Sequence, residues 1–279
     1  MNEFTLYLAG GSQLSADKTL VMGILNATPD SFSDGGDIAD PGRLDTRIRE
    51  MINAGADILD IGGESTRPGH EKVDAGEETA RVVPVIRAIR KISKTMPISV
   101  DTQKVEVAEE ALRAGASLIN DVSAFSDKKM AEVVRKHACS VILMRNEPTG
   151  SDTVANTKQQ FERIIEEAEK HGVDKKYLLL DPGLGFGDLK TGDYSLSPGS
   201  DPAANLELIR SISKYSHGLP VVIGASRKRF IGDITGEKDV KKRLGGSLAA
   251  AILAAQAGAG IVRVHDVAET VQAFKILNC

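Results

Sequence analysis

Eight short apolar runs, each followed by an amphipathic stretch, restrict the fold of this chain more than any other feature. The runs are Leu20–Leu25, Ile58–Ile61, Ile98–Val100, Leu118–Ile119, Val141–Met144, Tyr177–Leu180, Pro220–Ile223 and Ile261–Val264. Between them, Ala75–Ile92, Val105–Ala114, Phe161–His171, Asn205–Lys214 and Ser247–Ala257 repeat apolar residues at spacings of three and four. That is the period of a helix with one buried face. Strand followed by helix, over and over, implies parallel pairing, because each helix returns the chain to the same end of the sheet. Eight units are enough to close a barrel, whereas an open doubly wound sheet uses roughly six. The expectation is a (β/α)8 barrel, with residues 1–279 forming a single domain. Phe4–Leu8, Gly10-Gly11 and Lys18–Val21 suggest an added hairpin that caps the bottom of the barrel. Ala54-Gly55-Ala56, Ala114-Gly115-Ala116 and Ala257-Gly258-Ala259 each end a helix, where glycine suits a left-handed cap.

Composition narrows the class of function. Charged residues make up 27% of the chain and the net charge is −4. No stretch is basic enough to follow a phosphate backbone, so no nucleic-acid partner is expected. No apolar run approaches the ~20 residues of a membrane span, and the N-terminus lacks the pattern of a signal peptide. The two cysteines, Cys139 and Cys279, form neither a disulfide framework nor a zinc site. These features together favour the cytoplasm.

The strands end in polar residues: Asn26, Asp60, Asp101, Asn120-Asp121, Arg145, Asp181, Ser226-Arg227-Lys228, Arg263 and His265. A barrel of this kind carries its chemistry on that rim. Alternation along the last strand puts Arg263 and His265 on one face, a pair suited to an anion. Met22, Ile24 and Asn26 share a face in the same way. Asp60 and Asp121 admit two readings, since a strand-end aspartate can serve the site or simply cap the next helix. His70, His137, His171 and His217 read as ordinary surface or core residues. The connections 27–41, 62–74, 145–157, 182–202 and 226–240 are long and fall on the same rim, as functional loops do.

Several segments together resemble one family, the dihydropteroate synthases. They are Leu25–Gly36 (LNATPDSFSDGG), Asp60–Gly69 (DIGGESTRPG), Ser99–Thr102, Ile119–Val122, Leu180–Gly187, Ser226–Lys228 and Arg263–Asp266, in family order over nearly the whole chain. The resemblance implies joining of 7,8-dihydropterin-6-ylmethyl pyrophosphate to p-aminobenzoate. It implies that Asp181 accepts the donor edge of the pterin, that Asp101 and Asn120 complete the hydrogen bonds around the rings, that Lys228 faces the pterin carbonyl, and that Met144 lines the pocket. Asn26, Arg263 and His265 match the family's diphosphate pocket, with Asn26 as the protein contact of Mg2+. Asp34 would favour a cation on the exocyclic methylene, so Asp34, Lys228 and Arg263 are the catalytic candidates. Phe32, Thr66, Arg67, Pro68 and Arg229 would shape the p-aminobenzoate site. A homodimer is implied as well. The chain departs from the family pattern at Met144-Arg145-Asn146, where a histidine is common, and at Arg229, where many members carry serine. No catalytic role attaches to Arg145. Two rivals share the pterin logic: a methyltransferase module and a pterin-binding barrel without turnover. The first lacks its usual cobalamin signature here. The second is opposed by the presence of both halves of the site.

Overall fold

The computed structural model describes residues 3–27, 41–64, 73–145, 147, 152–186 and 201–277. Phe32, Asp34, Thr66, Arg67, Pro68, Asn146 and Cys279 therefore lie outside the described residues. Two strands, β1 (Phe4–Tyr7) and β2 (Gln13–Ala16), form an antiparallel hairpin. Eight more build a parallel sheet: β3 (Leu20–Asn26), β4 (Ile58–Gly62), β5 (Ile98–Asp101), β6 (Leu118–Asp121), β7 (Val141–Met144), β8 (Leu178–Asp181), β9 (Val222–Ile223) and β10 (Ile261–Val264). Their order is β8-β7-β6-β5-β4-β3-β10-β9. A parallel bridge between Leu180 and Val221 joins the two edges, with the Leu180 N–H donating to the Pro220 carbonyl at 3.0 Å. The expected barrel is present.

Alternation along the strands sorts the core into two layers. Outward-facing residues such as Ile61, Val100, Ile119, Leu143, Leu180, Ile223 and Val264 pack beneath the helices. Inward-facing Leu20, Met22, Ile58, Leu118, Ile142, Leu179, Val222 and Ile261 fill the lower barrel, together with Leu6, Leu8 and Ala16 of the hairpin. The hairpin is also tied on by its backbone. Ala9 N–H donates to the Ser117 carbonyl at 2.8 Å, and Ser140 N–H to the Tyr7 carbonyl at 2.7 Å. It closes the N-terminal end of the barrel.

The hairpin's second arm differs from the expectation. It is Gln13–Ala16, in register with Phe4–Tyr7, and Leu20 and Val21 belong to the first barrel strand. Its pattern is half-exposed, whereas Leu20–Leu25 is buried on both faces, as a barrel strand must be. Helix lengths differ for a similar reason. Thr153–Lys170 begins eight residues before Phe161, at an Asp152 cap, because its first two turns are largely polar and show no apolar period. The stretch Asn205–Lys214 divides at Ser211 into Pro202–Arg210 and Ile212–Tyr215. Gly55, Gly115 and Gly258 have φ of 96°, 116° and 93°, the left-handed caps their spacing indicated.

Candidate active site

The period that plugs the lower barrel with aliphatic residues places polar ones above them. Asp60 follows Ile58, Asn120 follows Leu118, Asp181 follows Leu179 and Arg263 follows Ile261, each two residues on and on the same inward face. Register aligns them: Gly62 lies opposite Asp101, Asp101 opposite Asn120, and Met144 opposite Asp181. One cavity at the C-terminal rim is lined by Asp101, Asn120, Val122, Met144, Asp181, Phe186, Gly224, Lys228 and Arg263.

Arg263 organises the floor. Its Nε donates to Asp60 Oδ2 at 2.6 Å and its Nη2 to Asp101 Oδ2 at 2.7 Å. Asn120 Nδ2 also reaches Asp60 Oδ2, at 3.4 Å. Burial alone would weaken the charge on Arg263, but Asp60 and Asp101 outweigh it and hold the guanidinium firmly protonated. Asp60 is fully buried, and among the described residues its hydrogen-bond donors are the side chains of Arg263 and Asn120 and no helix N–H. Asp121 points the other way. It accepts from Ser123 N, Ser123 Oγ and Phe125 N at 2.6–2.8 Å, supporting a turn in which Ala124 and Phe125 take positive φ.

Asp181 accepts from the Gly183 N–H at 2.7 Å through Oδ1. Gly183 has φ 64°, and a side chain there would strike the Arg145 carbonyl at 2.8 Å, so the turn that presents Asp181 requires glycine. Lys228 heads the short helix Arg229–Thr235 and reaches across the cavity. Its Nζ donates to the Leu184 carbonyl at 2.5 Å and lies 3.9 Å from the centre of the Phe186 ring. Burial pushes Asp101 up to about 7, against the pull of Arg263, with Asp60 and Glu78 adding to the rise. Burial likewise lowers Lys228 to about 7; Asp181 resists and Arg263 assists. Asp181 is also raised by burial. Three groups with displaced ionisation in one cleft are the pattern of a functional site.

Asn26 ends β3, half-buried and opposite Gly62. His265 follows β10, its Nδ1 at 3.0 Å from Ser226 Oγ. Arg229 stands outside the cavity with a side chain 78% exposed, near Asp233 at 3.5 Å. Arg145 is buried, donating to the carbonyls of Pro182 at 2.9 Å and Glu147 at 2.7 Å. It ties the segments after β7 and β8 together. Sequence reasoning assigned no role to Phe186, Ser226 or Gly224. Phe186 lies inside the Leu180–Gly187 segment, but nothing linear links it to Lys228.

A family model described as pterin binding enzyme matches residues 22–265. The dihydropteroate synthase of Bacillus subtilis (strain 168) is 43% identical over 266 residues, covering 94% of this chain and 88% of that one. The structure of Xanthomonas albilineans dihydropteroate synthase with 4-aminobenzoic acid superposes with a TM-score of 0.86 at 40% identity, covering 99% of this chain and 98% of that one. The enzyme from the same organism in complex with 7,8-dihydropteroate gives 0.84 at 39%, covering 98% and 97%.

Proposed function

The chain belongs to the dihydropteroate synthases, and from that premise we propose how its rim divides the reaction of these transferases. They join 7,8-dihydropterin-6-ylmethyl pyrophosphate to p-aminobenzoate in folate biosynthesis, releasing pyrophosphate. The observation that carries the proposal is the single cavity in which Asp101, Asn120, Asp181 and Lys228 meet Arg263. The amino group and ring N–H of a pterin are two adjacent donors, and a buried carboxylate is their natural acceptor. Asp181 takes that edge, Asp101 and Asn120 complete the ring's hydrogen bonds, Met144 packs on the rings, and Lys228 donates to the carbonyl side.

The diphosphate lies toward Arg263, His265 and Asn26. Arg263 Nη1 is not engaged in the bonds to Asp60 and Asp101, which leaves donors for the leaving group. Among the described residues no group of three acidic, histidine or cysteine side chains could hold a metal alone. The half-buried amide of Asn26 at the rim fits an ion that arrives with the diphosphate and takes one protein oxygen. Mg2+ held there would supply charge neutralisation to the departing pyrophosphate. The C–O bond to the pyrophosphate breaks first, and the pterin ring, with Asp34, stabilises the methylene cation. The neutral aryl amine then forms the C–N bond and gives up its proton to water, so no strong base is needed. Phe32, Thr66, Arg67, Pro68 and Arg229 shape the p-aminobenzoate side. The proposal includes one barrel domain, a homodimer in solution, and a cytoplasmic location; no described helix is long and apolar enough to cross a membrane.

The test is pyrophosphate release. Over many turnovers it should require both substrates, because the amine must capture the cation before the site is free again. It should also fall away when Mg2+ is chelated, and need more Mg2+ in Asn26→Ala than in wild type. Release that ignores p-aminobenzoate, or an Asn26→Ala enzyme with an unchanged Mg2+ requirement, would count against these assignments.

A pH profile gives a second check. In the free enzyme Asp101, at about 7, must be ionised, and Lys228, also at about 7, must be protonated. Activity is therefore lost below that range as the carboxylate gains its proton, and above it as the amine loses its own. A bell in kcat/KM centred near 7 is expected, its limbs belonging to the coupled set. Lys228→Arg stays charged and should remove the alkaline limb only; a wild-type profile flat from pH 5 to 9 would discard this reading.

A further inference from the structure

The ladder between β9 and β10 is short. It pairs Val222 with Ile261 and Ile223 with Val262, and it ends there. Lys228, Arg263 and His265 all lie beyond its last rung, so the rim at this seam is joined by side chains. Ser226 Oγ accepts from the His265 N–H at 3.2 Å and meets His265 Nδ1 at 3.0 Å. Arg227 forms the second link. Its Nε and Nη2 donate to Asp266 Oδ2 and Oδ1, at 3.1 and 2.5 Å.

Arg227 adopts φ 61°, a conformation that residues with a side chain seldom enter. The surroundings fix it there. Its N–H donates to Ser247 Oγ at 2.9 Å, and Arg243 Nη1 donates to the carbonyls of both Arg227 and Lys228, at 3.2 and 3.3 Å. Strain held by several partners next to Lys228, which lines the cavity, is characteristic of positions where geometry matters. Arg227 itself does not line the cavity.

We propose that Arg227 is a positioning residue whose fork on Asp266 sets the distance between Lys228, on the pterin side, and Arg263 with His265, on the diphosphate side. The inference rests on the assignment of those groups given above. Both halves of one substrate must be gripped at the separation at which the bond between them breaks. A seam without a backbone ladder can drift, and a drift of about 1 Å costs roughly 100-fold in rate.

Arg227→Gly is the decisive variant, because glycine accepts φ 61° without strain and so removes the fork while favouring the backbone. Single-turnover rates should fall about 10- to 100-fold, while the melting temperature stays within about 3 °C of wild type and the Kd values of inorganic pyrophosphate alone and 6-hydroxymethylpterin alone hold within about two-fold. Arg227→Lys keeps the charge without the fork and should recover part of the rate at most. A single-turnover rate in Arg227→Gly within about three-fold of wild type overturns the proposal, as does a loss of rate matched by equal losses in both fragment affinities. A failed assignment shows differently and removes the premise: pyrophosphate affinity in the otherwise wild-type enzyme would then be unmoved by Arg263→Ala.

Discussion

Arg263→Ala should abolish measurable pyrophosphate release and also lower the stability of the barrel. The two effects have separate causes. In the proposed reaction the guanidinium stabilises charge that appears on the leaving group only as the bond breaks. Loss of one such aimed donor costs about 100- to 1,000-fold in kcat, and a charged donor stands at the upper end. The stability loss comes from the floor. Asp60 is fully buried, and among the described residues both of its hydrogen-bond donors act on Oδ2: Arg263 Nε at 2.6 Å and Asn120 Nδ2 at 3.4 Å. Oδ1 already has no partner among the described residues. Without Arg263 a buried carboxylate keeps only the long amide contact. Removing one partner from a buried pair of this kind costs about 3–5 kcal/mol.

A companion substitution separates the two. Asp60→Asn in the Arg263→Ala background removes the stranded charge. It should recover much of the stability and none of the catalysis. Thermal melts and single-turnover assays on the three proteins decide the matter. If the double variant regains turnover, Arg263 serves the floor alone and the diphosphate is held elsewhere. If Arg263→Ala is as stable as wild type, Arg263 does not secure the Asp60 carboxylate beneath the cavity.

The features that made this barrel legible in the sequence are those with a period. β4, β5, β6 and β7 lie where their apolar runs placed them, and the helices Ala75–Ile92 and Val105–Ala114 match residue for residue. Inward-facing Asp101, Asn120, Asp181 and Arg263 follow from the same alternation. What stayed hidden depends on contacts between distant segments. Asp60 and Asp121 look alike as strand-end aspartates, yet one faces the barrel and the other the helices, because β4 places Asp60 in step with inward Ile58 whereas Asp121 follows inward Asn120. The hydrogen bond of Asp60 to Arg263 spans 203 residues. The polar opening of Thr153–Lys170 carries no period at all. The positive φ of Arg227 leaves no mark in a sequence, since glycine is the residue that usually announces it.

Asp181→Asn should cost the enzyme its pterin while leaving its fold intact. The change looks conservative, and the geometry explains why it is not. Asp181 Oδ1 is occupied by the Gly183 N–H at 2.7 Å. An asparagine at this position would keep that bond with its amide oxygen and so turn its NH2 toward the pterin edge. Two donors would then face the donors of the ligand. The loss of a charge-assisted pair, with repulsion in its place, is worth about 3 kcal/mol or more, a drop of at least about 100-fold in affinity. Stability moves the other way. Burial raises the carboxyl of Asp181, so ionising it in the folded state costs free energy. For an acid whose folded pKa lies above 3.8, that cost appears as the pH rises from 3.8 through the folded value, and it is present in full above that value. The variant carries no such cost and should melt at or above the wild-type temperature at pH 8, and at or below it near pH 4. A gain of stability with a loss of ligand is the usual mark of a residue kept for function. Calorimetric titration with 6-hydroxymethylpterin and melts at both pH values provide the test. Unchanged pterin affinity would remove Asp181 from the site. Lower stability at pH 8 would mean that its contact with Gly183 matters more to the fold than its buried charge.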